Sequence, residues 1–206
     1  MNDPAPRKRK RDGAATREKI LAEALTLFAR KGFDATSIKD ISSAVGVADA
    51  ALYRHFPSKD DIAHTVFTLH YGSLAQDVSD VAARHVHIAP IIDELIAMLC
   101  RLFDQKPDVF AFILINQHNH LRFVGYKANP VEECVALMRT AQDRGQIAIS
   151  DPQLAAAIAL GAAIQPAIFH LYGRLEGSLS DKKEVISEAV RKALGVKSLQ
   201  QLKKAE

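Results

Sequence analysis

Apolar residues recur three and four positions apart along most of the chain, the period of a helix buried on one side. Ile20, Leu21, Ala24, Leu25 and Phe28 make the first such stripe, and the spacing predicts a helix from about Arg17 to Lys31, capped by Thr16 and stopped by Gly32. Ile38, Ile41 and Val45 define a second, short helix, and Ala51, Leu52 and Phe56 a third running from Asp49 to Phe56. A long fourth helix follows to about Val81 on Ile62, Val66, Phe67, Leu69, Leu74 and Val78, opened by Ser58 with Asp61 three residues on, a capping-box spacing. Four prolines, at 90, 107, 130 and 152, then stand where further helices begin. Val109 to Ile115 is apolar enough to read as a buried strand, but the helical register around it favours a sixth helix. The seventh extends from Asn129-Pro130 through Arg144, the eighth starts at Asp151-Pro152, and the ninth covers about Asp181 to Leu194. The expected class is all-α, with about nine helices: a three-helix head and a larger helical body.

Between the second and third helices, Gly46 supplies the positive backbone angle that a sharp corner needs, and Val47 drops into the angle between them. Two short helices around a tight turn form a helix-turn-helix, whose second helix is of a size that a DNA major groove admits. Charge agrees with this placement. Residues 1–60 hold 12 Lys and Arg against 8 Asp and Glu, leaving 15 against 16 in the remainder, so a polyanion belongs at the N-terminal end. Within that end, Arg7, Lys8, Arg9, Lys10 and Arg11 form an unbroken basic block in residues 1–15, read as a flexible arm that lies along phosphates or enters the minor groove.

The run TSIKDISSAVGV, followed by ALYRHFPSKDDI, resembles the DNA-binding domain of the TetR family of bacterial one-component regulators. The LYxHFxSK segment fixes two aromatics, a His, a Ser and a Lys at set offsets; beyond about Phe67 the likeness is one of organisation only. The resemblance implies phosphate contacts at Tyr53, His55 and Lys59, with Thr36 and Ser37 as further candidates at the start of the second helix. Base reading falls to Asp49, Ala50, Ala51 and Arg54 on the third helix. Here the chain departs from the family's commoner pattern, which opens this helix with Ser or Thr where Ala48 and Asp49 stand. Domains are expected at residues 1–15 (arm), 16–60 (DNA-binding head) and 61–206 (ligand-binding and dimerisation body). The family implies a cytoplasmic homodimer joined through its last two long helices, a double-stranded operator, and a small-molecule effector that releases it. A ligand-independent architectural DNA-binding protein remains the alternative.

Polar residues embedded in apolar runs mark a candidate effector site: Asn116, Gln117 and His118, then Gln165 and His170. Phe67, Tyr71, Met98, Phe103, Phe110, Met138 and Phe169 are its candidate apolar walls, and Pro166 is expected to bend the eighth helix at Gln165. Small residues from Ala155 to Ala163 give that helix a face another backbone can approach, and the ninth pairs it with one apolar side, Val185, Ile186, Ala189, Val190, Ala193 and Leu194. The longest run of apolar residues and glycine, Leu154 to Ile164, is 11 residues, short of a membrane span. Cys100 and Cys134 read as reduced core thiols in a reducing cytoplasm. The His pairs 85/87 and 118/120 point to opposite helix faces, so no metal is expected. No cofactor is expected either, and the chain holds no GxSxG, Walker, GxGxxG or HExxH segment, which argues against an enzyme.

Overall fold

A computed structural model describes residues 6–115 and 129–197, with side chains from residue 13 on. Its helices are α1 (Pro6–Lys31), α2 (Ile38–Val45), α3 (Asp49–Tyr53), α4 (Lys59–Arg84), α5 (Ile88–Gln105), α6 (Pro107–Phe110), α7 (Pro130–Asp143), α8 (Pro152–Leu171) and α9 (Lys183–Leu194). The described residues contain no strand, so the all-α class holds. α1, α2 and α3 form the head; α4 leads out of it and packs on α5 and α7, while α8 and α9 pack on each other and complete the body.

Local chemistry sets most boundaries. α1 ends where Gly32 turns to φ 83, as the sequence predicts. At the start of α2, the Asp40 N–H donates to Ser37 Oγ at 3.1 Å and the Ser37 N–H donates back to Asp40 Oδ2 at 2.8 Å, a complete capping box. Ser58 accepts from the Asp61 N–H at 3.1 Å while its hydroxyl donates to the Asp61 carboxylate at 2.6 Å, so α4 has half of such a box. Asn129 and Asp151 cap α7 and α8 ahead of their prolines.

Three boundaries depart from the sequence reading. α1 begins at Pro6, so residues 6–15 carry helical backbone where the sequence reading starts the first helix at about Arg17: Arg, Lys and Ala are good helix formers, and extending an anchored helix fixes one residue per added bond. α3 ends at Tyr53, three residues early, because the His55 and Phe56 N–H groups both donate to Leu52 O and close the turn there. The sixth helix is a four-residue α-turn that passes into a π-helical turn, Ala111–Ile115. Phe112, Ile113 and Leu114 are consecutive and all buried, which explains why this run looks like a strand in sequence. α8 starts at Pro152, as the sequence predicts, and is helical through Pro166 to Leu171.

One core runs through head and body, from Ile20 to Leu194. The π-turn is a joint within it: Phe112 stacks on Phe28 of α1 with centroids 6.0 Å apart, while Leu114, two residues on, reaches a cavity in the body.

Candidate nucleic-acid interface

The corner between α2 and α3 is built from backbone bonds and one cross-helix contact. Gly46, at φ 78, and Val47 both donate to Ser42 O, at 2.9 and 3.0 Å, so the chain reverses within two residues of the end of α2. Leu52, with no exposed surface, and Ile41 seat both helices on the α1 stripe. The buried Ser42 hydroxyl lies against the Asp49 carboxylate. One oxygen of the Asp49 carboxylate thus ties α3 to α2 while the residue stays exposed, and the helix cap is Ala48, which contributes no side-chain bond.

On the outer side of α3, Ala50 and Arg54 are exposed, Ala51 and His55 are partly covered, and Tyr53 is 52% exposed, large for an aromatic at a closed surface. Lys59 sits over the Phe33 ring, 4.2 Å from its centroid, and donates to Phe33 O at 2.9 Å. That uses one of three ammonium donors and leaves the charge beside the α4 N-terminus. Ser37 is exposed at the front of α2. Thr36 is not available: it is 1% exposed and its hydroxyl donates to Gly32 O at 2.8 Å, closing the α1–α2 connection. The basic block from Arg7 to Arg11 lies on the first turns of α1, described as backbone only.

Sequence reasoning missed three cations of the head. Lys39 is exposed on the first turn of α2, Arg17 lies over Phe56 at 4.7 Å, and Lys19 ties α1 to the end of α2 through Val45 O at 2.8 Å. The local signal for Lys39 was its place two residues after the Ser37 cap; the other two depend on tertiary contacts.

The body holds a cavity of about 80 Å³ walled almost wholly by carbon, with Leu74, Val78, Met98, Leu114, Cys134 and Met138 among its lining residues. Of the predicted effector residues that are among the described ones, Met98 and Met138 line it. Phe67 and Tyr71 are stacked in the core at 4.9 Å, and Phe103 packs edge-on against Phe110 at 5.3 Å and against His170 at 5.1 Å. Gln165 and Phe169 face outward, Phe169 at 50% exposure, because their side of α8 has no neighbour among the described residues. Asn116, Gln117 and His118 lie outside the described residues. Burial pushes the Tyr71 phenol up to about 12 and the Cys134 thiol up to about 11, and Cys100 is also raised by burial, so both thiols are neutral rather than reactive thiolates. Among the described residues no three His, Cys, Asp or Glu side chains are grouped to hold a metal.

α8 also corrects a second expectation. The 11-residue run lies within a 20-residue helix that is long and apolar enough, by length and composition alone, to cross a membrane. Little of it is buried. Leu154, Ile158, Gly161, Gln165, Phe169 and Tyr172 follow one another at intervals of three and four along a face that is exposed at every position except the partly covered Ile158. A Cβ added at Gly161 would meet nothing within 4 Å. α9 is likewise two-sided: Ile186, Val190 and Leu194 turn inward, whereas Val185 is 71% exposed with Ala189 and Ala193 beside it.

Residues 20–66 match the family described as bacterial regulatory proteins, tetR family. The biofilm operon icaADBC HTH-type negative transcriptional regulator IcaR of Staphylococcus epidermidis is 44% identical over 46 residues, 22% of this chain and 25% of that protein. The chain thus spans about a quarter of the length of that curated relative. The fatty acid degradation regulator FadR from Bacillus halodurans superposes with a TM-score of 0.73 at 15% identity, over 92% of this chain and 96% of its own. The regulator FadR from Bacillus subtilis, solved in complex with stearoyl-CoA, gives 0.70 at 16% identity over 84% and 96%. At such identities the likeness carries the fold.

Proposed function

Because residues 20–66 are a TetR-family DNA-binding domain and the chain carries that family's fold, we propose that it is a ligand-responsive transcriptional repressor that binds operator DNA as a homodimer in the bacterial cytoplasm. The observation that carries this reading is the closed α2–α3 corner, which presents Ala50, Tyr53 and Arg54 outward beside Lys39 and Lys59 while its own polar groups are satisfied internally. Arg54 is the base reader; Tyr53, His55, Lys59, Lys39, Ser37 and the basic block at 7–11 position the head on phosphates. Residues 16–60 act as the head and those from 61 on as the body.

The outward face of α8 supports dimerisation. An apolar face at helical spacing, with a glycine that its own chain does not require, is what a second copy would cover, and Val185 of α9 continues it. Ligand response is supported by the π-turn, where Leu114 at the cavity and Phe112 on Phe28 lie two residues apart, so filling the cavity strains the seat of α1.

Selection from a random duplex pool tests the reading. It should enrich a roughly palindromic sequence; Arg54→Ala should change the enriched bases, whereas Lys39→Ala should weaken all sequences and flatten the salt dependence by roughly one log-log unit. Failure to enrich any sequence would sink the repressor reading. Phe169→Glu combined with Val185→Glu should give monomers in sedimentation, and an intact dimer would mean that another face joins the subunits.

A further inference from the structure

The apolar cavity shares part of its wall with a second hollow. Val78 and Leu137 belong to both linings, and the second hollow, of about 440 Å³, is the larger and lies on the side away from the head. The two follow each other along the same helices. On α4 the linings pass from Leu74 through Val78 to Ala82 and Arg84; on α7 they pass from Pro130 through Leu137 to Ala141 and Arg144. The character changes across the shared pair: the inner space is walled almost wholly by carbon, and the outer is ringed by Arg84, His85, Arg144 and Gln146.

Charge within the outer cleft is uneven. Glu94 takes up Arg84 at 2.5 Å and His85 at 2.8 Å, which neutralises that corner. Arg144 has no carboxylate within ion-pair distance among the described residues, and it uses one N–H on Val86 O at 2.9 Å, leaving four of its five donors. The acidic residue in the lining, Glu133, lies about 16 Å from Arg144 along α7. The rim is also fixed in place. Gln146, buried, donates to Val86 O at 3.1 Å and accepts from the Ile88 N–H at 2.8 Å, so the loop that Arg144 touches is held before any ligand arrives. An uncompensated guanidinium on a fixed rim, next to an apolar space lined by two flexible methionines, suits a molecule with one anionic end and one hydrocarbon end.

Resting on the ligand-responsive reading, we propose that the effector is a single-chain amphiphile with an anionic head, its tail in the cavity beyond Val78 and Leu137 and its head on Arg144. Met98 and Met138 yield to the chain, and the paired Val78 and Leu137 side chains part to admit it.

Calorimetric titration of the full chain with decanoate, decyl phosphate and decan-1-ol is the test, with operator release followed in parallel. At least one anionic probe should bind the wild type more tightly than the alcohol, and a preference between the two would tell a carboxylate from a phosphate head. Arg144→Gln, a surface change that leaves the core alone, should weaken the anionic probes by about tenfold without altering decanol. Ala163→Leu, or Ala159→Val should the first fail to fold, should fill the inner space and weaken every probe. Anionic probes that do not bind, or that bind Arg144→Gln as well as wild type, would overturn the proposal. If they fail while a neutral compound releases operator DNA, the inference falls and the ligand-responsive reading stands; if no compound releases DNA, both fall.

Discussion

Head and body are made of the same elements, yet their surfaces and interiors are finished differently. In the head, Ile20, Ala24, Ile41 and Leu52 have no exposed surface, and the polar groups of the α2–α3 corner are bonded to one another. In the body, Ala159 and Ala163 border a cavity, Arg144 has no acidic partner among the described residues, and α8 turns Leu154, Phe169 and Tyr172 to solvent. The head is closely packed around its corner. The body leaves unfilled volume and uncovered apolar area where a ligand and a second copy would complete it. Substitution should therefore be costly in the head and absorbed in the body.

The largest difference should come from truncation. Leu52→Ala removes a side chain with no exposed surface from a five-residue helix, and should cost about 2–5 kcal/mol together with DNA binding. Denaturant midpoints check this; a loss below about 1 kcal/mol would mean that the head is loosely packed after all. Enlargement comes next. Ala24→Val should cost about 1–3 kcal/mol by overpacking α1 against α2 and α4, whereas Ala159→Val, which points a methyl group into vacant space, should be neutral or raise the midpoint. Equal losses at both sites would erase the contrast.

How legible each region is in sequence follows from the same difference. Caps and glycine stops are local chemistry, so Ser37, Asp40, Gly32, Gly46, Asn129 and Asp151 announce themselves within four residues of where they act. The helix-turn-helix was legible for that reason. Thr36 was misread because its bond goes to Gly32 O, and a hydroxyl beside a predicted DNA face looks the same whether it faces inward or outward. In the body, polarity misled. Gln165 and Phe169 share an exposed face, and no periodicity separates an outward apolar stripe from an inward one when the whole helix is apolar. Arg144 and Gln146, which frame the cleft, sit in the turn after α7 and offered no pattern at all.

A smaller effect should separate the caps of the two regions. Ser37→Ala removes the side-chain half of the α2 box, leaving the backbone N–H bond to Asp40, and should cost about 1 kcal/mol, carried by the head alone and visible as weakened DNA binding at raised temperature. Asp151→Ala removes a single cap from α8, with bonds at 2.9 and 3.2 Å to the Gln153 and Leu154 N–H groups, and should cost at most as much while leaving DNA binding unchanged. Thermal melts paired with operator titrations distinguish the two; an Asp151→Ala protein that loses the operator would show that α8 steers the head directly.

The smallest effect is expected at low pH, where one carboxylate from each region titrates in the same window. The Ser37 hydroxyl and N–H, helped by Lys31, hold Asp40 down to about 2 from an ordinary 3.8. At Asp104, burial pushes the other way but is outweighed by bonds from Ser180, the Leu179 N–H and Ser178, and the group again lies at about 2. Both folded-state values are depressed, so each group's contribution to stability is complete above about pH 4 and is lost as pH falls through about 2. Asp40 is exposed and screened by water and salt, so its share is small. Asp104 fastens the loop before α9 to the end of α5, and its protonation should loosen the body rather than the head. Carboxyl NMR titration of wild type, Asp40→Asn and Asp104→Asn would resolve the two. Each variant should flatten the acid loss of stability only in its own region, and either carboxylate titrating near 3.8 in the folded protein would remove it from this account.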